Sequence, residues 1–206
     1  LAAGTAQTTI GGTLTNATAA PINVTYVVTP SSGSCAGVSF TVVVTVNPRP
    51  AITNMTATIC SATAFTAAPV NVTNGVVPTG TTYTWMVAAN ANVTGETAVA
   101  TASNNISQTL TNTTVNAEIV SYTVTPTANT CDGATFTVAV TVNPIPVIAN
   151  KTAVMCSGTA FTVAPVNGTD LVPTGTTYTW TVAANANVNG ETAQTTPVSS
   201  ISQVLN

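Results

Sequence analysis

The sequence predicts an all-β chain built from tandem antiparallel β-sandwich units of about 96 residues, and three observations carry that expectation. The octapeptide Pro-Thr-Gly-Thr-Thr-Tyr-Thr-Trp at 78–85 returns letter for letter at 173–180. Apolar residues alternate with Thr over several stretches, which is the period of a strand with one buried face. Charged residues make up 3% of the chain against roughly 25% in ordinary soluble proteins, so Thr and Asn must supply the solvated surface.

Self-comparison sets the units. Cys35, Asn47 and Pro48 recur as Cys131, Asn143 and Pro144, and Ile10, Leu14 and Tyr26 recur as Ile106, Leu110 and Tyr122, each a step of 96. Cys60 and Cys156 keep that step, whereas Trp85 and Trp180 are 95 apart, because Asn74-Gly75-Val76-Val77 is matched by the shorter Asp170-Leu171-Val172. A one-residue slip is cheap in a turn. The natural joints are Asn47-Pro48-Arg49-Pro50 and Asn143-Pro144-Ile145-Pro146, where two prolines one residue apart hold the backbone extended and withhold amide donors. On this division residues 1–48 are the C-terminal part of one sandwich, 49–144 a complete one and 145–206 the N-terminal part of a third.

Within the complete unit Tyr83, Trp85 and Val87 share one face of a strand, and the copy keeps Tyr178, Trp180 and Val182 while Met86 becomes Thr181. The retained face is the core face. Val120, Tyr122 and Val124 match Val24, Tyr26 and Val28, and Phe136, Val138, Val140 and Val142 match Phe40, Val42, Val44 and Val46, with Thr on the outer face. Further strands are expected at 52–59, 64–70 and 106–111, with turns at Gly75, 90–92, Gly95 and 132–133. About seven short strands with buried aromatics and no helical period point to immunoglobulin-like character, with Tyr83, Trp85, Tyr122, Phe136, Tyr178 and Trp180 as structural core.

Composition excludes several functions. With Arg49 and Lys151 as the only cations, nucleic-acid binding has almost no electrostatic term. No run of about 18 apolar residues exists to insert into a membrane. Cysteines in so uncharged a chain suit an oxidising exterior, with a secretion signal expected outside the segment. No catalytic set is found: the sequence has no His to activate its serines, and Asp132, Asp170 and Glu118 do not recur between units, so no repeated carboxylate pair arises. No cofactor is implied.

Cys-Ser-Gly-Thr-Ala-Phe at 156–161, Thr-Thr-Tyr-Thr-Trp, Ile-Ser-Gln-Thr-Leu-Thr-Asn at 106–112, Tyr-Thr-Val-Thr-Pro at 122–126 and Val-Thr-Val-Asn-Pro at 140–144 together resemble the PKD-like repeats of large secreted bacterial surface proteins, gliding adhesins among them, that use type IX secretion. The resemblance covers nearly the whole chain and implies spacers and scaffolds. The Trp-Asp-Phe-Gly-Asp-Gly signature of PKD repeats is missing, so no role that rests on it carries over.

Four cysteines allow three connectivities. A straight proline joint would leave Cys60 and Cys131 at one end of one sandwich, where they would pair, with Cys35 and Cys156 bridged outside this segment. A folded-back joint would pair Cys35 with Cys60 and Cys131 with Cys156. The straight joint is preferred, because Pro-x-Pro reverses poorly. Metal binding is disfavoured by the absence of His and of Cys-x-x-Cys. Trp85 and Trp180 read as core rather than as sugar-stacking platforms, Glu96 and Glu191 as loop-solvating carboxylates rather than calcium ligands, and Asn54, Asn92 and Asn112 as glycan acceptors only in a source that glycosylates Asn-x-Ser/Thr.

These readings converge on a non-enzymatic extracellular structural or adhesive protein: a rod, stalk or filament on the bacterial cell surface. Its expected partners are neighbouring repeats of the same protein, with self-association into filaments and surface glycans as further candidates. The alternative is a carbohydrate-binding module of a secreted enzyme. Because both ends fall inside a repeat, the segment is expected to belong to a longer chain, the other possibility being completion by strands of a neighbouring chain.

Overall fold

The computed structural model describes residues 7–206, and among these the secondary structure is all strand. A leading unit contains β1 (Ile22–Val28), β2 (Ser31–Ser32), β3 (Cys35–Ala36) and β4 (Phe40–Val46). The middle unit contains β5 (Ala51–Ile52), β6 (Met55–Cys60), β7 (Thr63–Ala67), β8 (Gly75–Val76), β9 (Thr82–Val87), β10 (Val93–Thr94), β11 (Val99–Ser103), β12 (Ile106–Asn112), β13 (Glu118–Ala128), β14 (Cys131–Asp132) and β15 (Phe136–Asn143). A trailing unit contains β16 (Ala160–Val163), β17 (Tyr178–Trp180), β18 (Gln194–Val198) and β19 (Ile201–Val204).

The middle unit is an immunoglobulin-like sandwich of two sheets, ordered β10-β12-β7 and β11-β9-β13-β15-β6, with β14 added to β13. Alternation along β13 and β15 turns Val120, Tyr122, Val124, Phe136, Val138, Val140 and Val142 inward, and Phe65, Ile106 and Leu110 meet them from the other sheet. Phe65 packs on Tyr122 across the sheets with centroids 5.3 Å apart, and Tyr83 stands edge-on to Phe136 at 6.4 Å. Offset or edge-on aromatic packing places positive ring edges against negative faces. The short β10 and β11 were not legible as strands, since neither carries a clean alternation. Gly75, expected in a turn, begins β8 and pairs with Ile52 of β5.

All pairings in the middle sandwich are antiparallel except β6 with β15, where Met55 lies opposite Val138 and Cys60 opposite Asn143 in the same direction. This corrects the disulfide expectation. The β13–β15 hairpin that carries Cys131 sits at the leading end, where a Cβ on Gly133 would collide with the Pro50 carbonyl oxygen. Cys60 is at the trailing end beside Asn143. The five steps from Met55 to Cys60 alone span about 16 Å, and a disulfide tolerates a Cα separation of at most about 7 Å. Cys60 and Cys131 therefore do not bridge each other, and no two of the four cysteines are bonded within the chain.

A buried asparagine latches the trailing end. Asn112, 3% exposed, donates through Nδ2 to the carbonyl oxygens of Asn116 (2.6 Å) and Val142 (2.8 Å), and its Oδ1 accepts from the backbone N–H (2.8 Å) and hydroxyl (2.9 Å) of Thr114. Its backbone exchanges hydrogen bonds with the Ser61 hydroxyl. Asn16 repeats the device, donating to Ala20 O and Val46 O and accepting from Thr18.

The flanking units hold the same residue types in open form. The leading unit has β1 paired only with β4, and residues 10–14, equivalents of β12, form no strand. In the trailing unit β16 pairs with β19 and β17 with β18, and residues 151–156, equivalents of β6, form no strand. Tyr178 and Trp180 are consequently half-buried, whereas Tyr83 and Trp85 are fully covered.

Trp85→Ala is expected to cost about 3–5 kcal/mol of unfolding free energy in a urea titration, whereas Met86→Thr, at a side chain 70% exposed, should stay within about 0.5 kcal/mol. Asn112→Ala leaves two carbonyls and the Thr114 N–H without partners, and is expected to cost about 2–3 kcal/mol in the same titration. Peptide mapping without reductant should recover no Cys60–Cys131 crosslink within a chain; finding one would contradict the parallel register of β6.

Candidate functional site

The Gly-Glu-Thr-Ala tetrapeptide, at 95–98 and again at 190–193, carries the carboxylate that the middle and trailing units share. Gly95 has a φ of 96°, and a Cβ there would strike the Thr109 carbonyl oxygen; Gly190, at the same φ, lies equally close to the Val204 carbonyl oxygen. Only glycine combines this left-handed backbone with so close an approach. The turn brings Thr97 against β12, where Gln108 Nε2 donates to the Thr97 carbonyl oxygen at 2.6 Å and Oε1 accepts from the Thr97 N–H at 3.1 Å.

Two aromatic side chains end on this clasp. Trp85 Nε1 donates to the Thr97 carbonyl oxygen at 3.0 Å, and the Tyr122 hydroxyl donates to Gln108 Oε1 at 2.9 Å. Both polar tips are thus satisfied inside an otherwise apolar seam. Burial, reinforced by the nearby Glu96 carboxylate, pushes the Tyr122 hydroxyl well above its ordinary pKa, so it remains a donor at every physiological pH. The trailing unit repeats half of the arrangement: Trp180 Nε1 donates to the Thr192 carbonyl oxygen at 3.0 Å, and Gln203 Nε2 donates to that oxygen and to the Thr192 hydroxyl.

Glu96 and Glu191 do not solvate their loops. Glu96 Oε1 accepts from the Asn90 N–H and Glu191 Oε1 from the Asn185 N–H at 2.9 Å, while the second oxygen of each is buried without a partner. The Asn185 hydrogen bond holds the Glu191 carboxyl below its usual range. Glu118 accepts from Asn90 Nδ2 at 3.1 Å and Asn92 Nδ2 at 2.9 Å. These carboxylates tie turns to strands.

The three asparagines weighed as glycan acceptors are also engaged. Asn54 Oδ1 accepts from the Thr137 N–H, Asn92 holds Glu118, and Asn112 is buried with both amide hydrogens donated. Lys151 pairs with Asp170 at 2.6 Å; its hydrogen bond, with backbone donation from Ala149 and Val166, holds the Asp170 carboxyl below its usual range. A depressed carboxyl pKa means that this tie is present at neutral pH and lost as the pH falls through it. Among the described residues no three His, Cys, Asp or Glu side chains gather as a metal site, and no helix is long and apolar enough to cross a membrane.

Sequence reading missed the roles of Thr97, Gln108 and Asn112. Their signal was present: Thr97 recurs as Thr192, Gln108 as Gln203 and Asn112 as Asn16, polar residues repeated at fixed positions beside apolar ones. The remaining surface of chemical interest is the pair of open sheet faces in the flanking units. A groove beside Trp180 runs between the two small sheets of the trailing unit, lined by Thr192, Gln194, Val198, Gln203 and Val204.

No curated protein matches the chain. The profile of the PKD-like domain matches it three times, over residues 1–50, 57–146 and 153–206, one match to each sandwich or part of a sandwich. With its two-sheet middle unit, its repeated clasp and nearly every residue inside one of these matches, the chain belongs to the PKD-like domain family.

Proposed function

We propose that this chain is a non-enzymatic repeat segment of an extracellular rod, stalk or filament on a bacterial cell surface, acting as spacer or adhesive scaffold. PKD-like domains typically occur in extracellular proteins, are structural or adhesive, and are generally non-catalytic. The observation that carries the proposal is that the polar groups the units repeat, Thr97, Gln108, Glu96 and Asn112 with their counterparts, are spent on holding strands together. Pro48 and Pro50 are fully buried, which makes the joint into the middle sandwich a packed connection rather than a free linker.

The sugar-binding alternative calls for an exposed aromatic platform, whereas the Trp85 ring is buried and its indole N–H is taken by Thr97. An antibody against the middle sandwich is expected to label intact, unpermeabilised cells of the source bacterium; labelling only after permeabilisation would overturn the proposed location. On a glycan array the chain should give no specific signal, and saturable binding to one glycan class would replace the scaffold with the binding module.

A further inference from the structure

Tension along a spacer reaches the middle sandwich through its two joints, and the direction of β6 decides how that tension is carried. The chain enters at the leading end, where Pro48 and Pro50 are buried and where a Cβ on Gly75 or Gly133 would strike the carbonyl oxygen of Ala51 or Pro50. It leaves at the trailing end, beyond Asn143. β5 is paired with β8 over two residues, so a load that frees it falls next on β6. That strand lies along β15 in the same direction, from Met55 opposite Val138 to Cys60 opposite Asn143, and it is the edge strand of its sheet.

We propose that β6 and β15 form a tension clamp. A load applied between the two joints draws β6 toward the leading end and β15 toward the trailing end, so the strands are sheared along their length. The hydrogen bonds of a parallel pair are evenly spaced, and a shearing load is shared among them. Had β6 run antiparallel to β15, the chain would enter it beside Asn143, and the same load would part the strands one pair at a time. The clamp rests on the proposed spacer role for the source of the load, and on the register of β6 for the way the load is borne.

Hydrogen bonds close the clamp at both ends. At the leading end Asn54 Oδ1 accepts from the Thr137 N–H at 2.8 Å, and at the trailing end the Ser61 N–H donates to the Asn143 carbonyl oxygen at 2.7 Å. Asn112 Nδ2 donates to the Val142 carbonyl oxygen at 2.8 Å, which fastens the end of β15 to the opposite sheet. On the inner face Val138, Val140 and Val142 are fully buried, and Met55, Ala57 and Ile59 pack against the same core. Water is kept from that face, so sliding leaves backbone groups there without partners.

Forced unfolding follows the barrier to rupture rather than equilibrium stability, so the test is to pull. In single-molecule force spectroscopy the 206-residue chain is held by its two ends in one geometry, and by the Cys60 thiol and its C-terminal end in the other. Cys35, Cys131 and Cys156 are replaced by Ser in both, and an unchanged urea midpoint establishes that the sandwich is intact. The first geometry shears β6 against β15, whereas the second pulls across the Cys60–Asn143 pair and peels the ladder from its trailing end. Rupture of the middle sandwich is identified in either by a lengthening of about 300 Å, from the reach of an extended chain. The peeling force is expected to be at least about twofold below the shearing force. Asn54→Ala should lower the shearing force and leave the peeling force unchanged, because peeling starts at the far end. Equal forces in the two geometries, or an Asn54→Ala change that does not lower the shearing force more than the peeling force, would overturn the clamp. Antibody labelling of intact cells decides the scaffold reading separately, whichever way the clamp is decided.

Discussion

A β-sheet with one apolar face needs a second layer to cover that face, and every unit of this chain is governed by whether the covering layer is present. In the middle unit it is. Tyr122, Val124, Val138 and Val140 lie beneath Phe65, Ile106 and Leu110, and all are removed from water. The strands β13 and β15 carry the same alternation as β1 and β4, yet the latter form a two-stranded ribbon with large apolar side chains in solvent.

With so few charges, specificity inside the sandwich comes from neutral hydrogen-bonding groups. The Trp85–Thr97–Gln108–Tyr122 chain and the Asn112 latch cross from one sheet to the other, and at the buried Asn112 any displacement would leave donors and acceptors unpaired away from water. They act where salt bridges act in more charged proteins, and unlike exposed ion pairs they are insensitive to screening by salt. Glu96 and Glu191 belong to the same scheme, turned inward to hold turns rather than outward to keep the loops hydrated.

Periodicity made the core legible: β9, β13 and β15 follow from the alternation around Tyr83, Trp85, Tyr122 and Phe136, and the turns from Gly, Asn and Asp. The polar clasp was harder to read, because Gln108 and Thr97 sit on strands and loops whose composition is Thr and Asn throughout, and nothing local marks which polar residue crosses to the other sheet. The cysteines illustrate the limit more sharply. Cys60 and Cys131 were expected at one end of the sandwich on the premise of a straight proline joint, whereas β6 follows β15 in parallel and carries Cys60 to the opposite end. Strand direction is decided by which edge the first strand joins, a long-range choice absent from local pattern.

Residues 55–60 and 151–156 agree at three of six positions, and 106–110 and 10–14 at three of five, and in each pair the first forms a strand and the second does not. Sequence alone determined the buried face of the long middle strands and the residues able to form a core, because alternation and glycine placement are local properties of the chain. Only the tertiary structure decided which of those segments become strands and which aromatics become core. A strand needs a hydrogen-bonding neighbour and an apolar face needs a cover, and both come from residues far away along the chain.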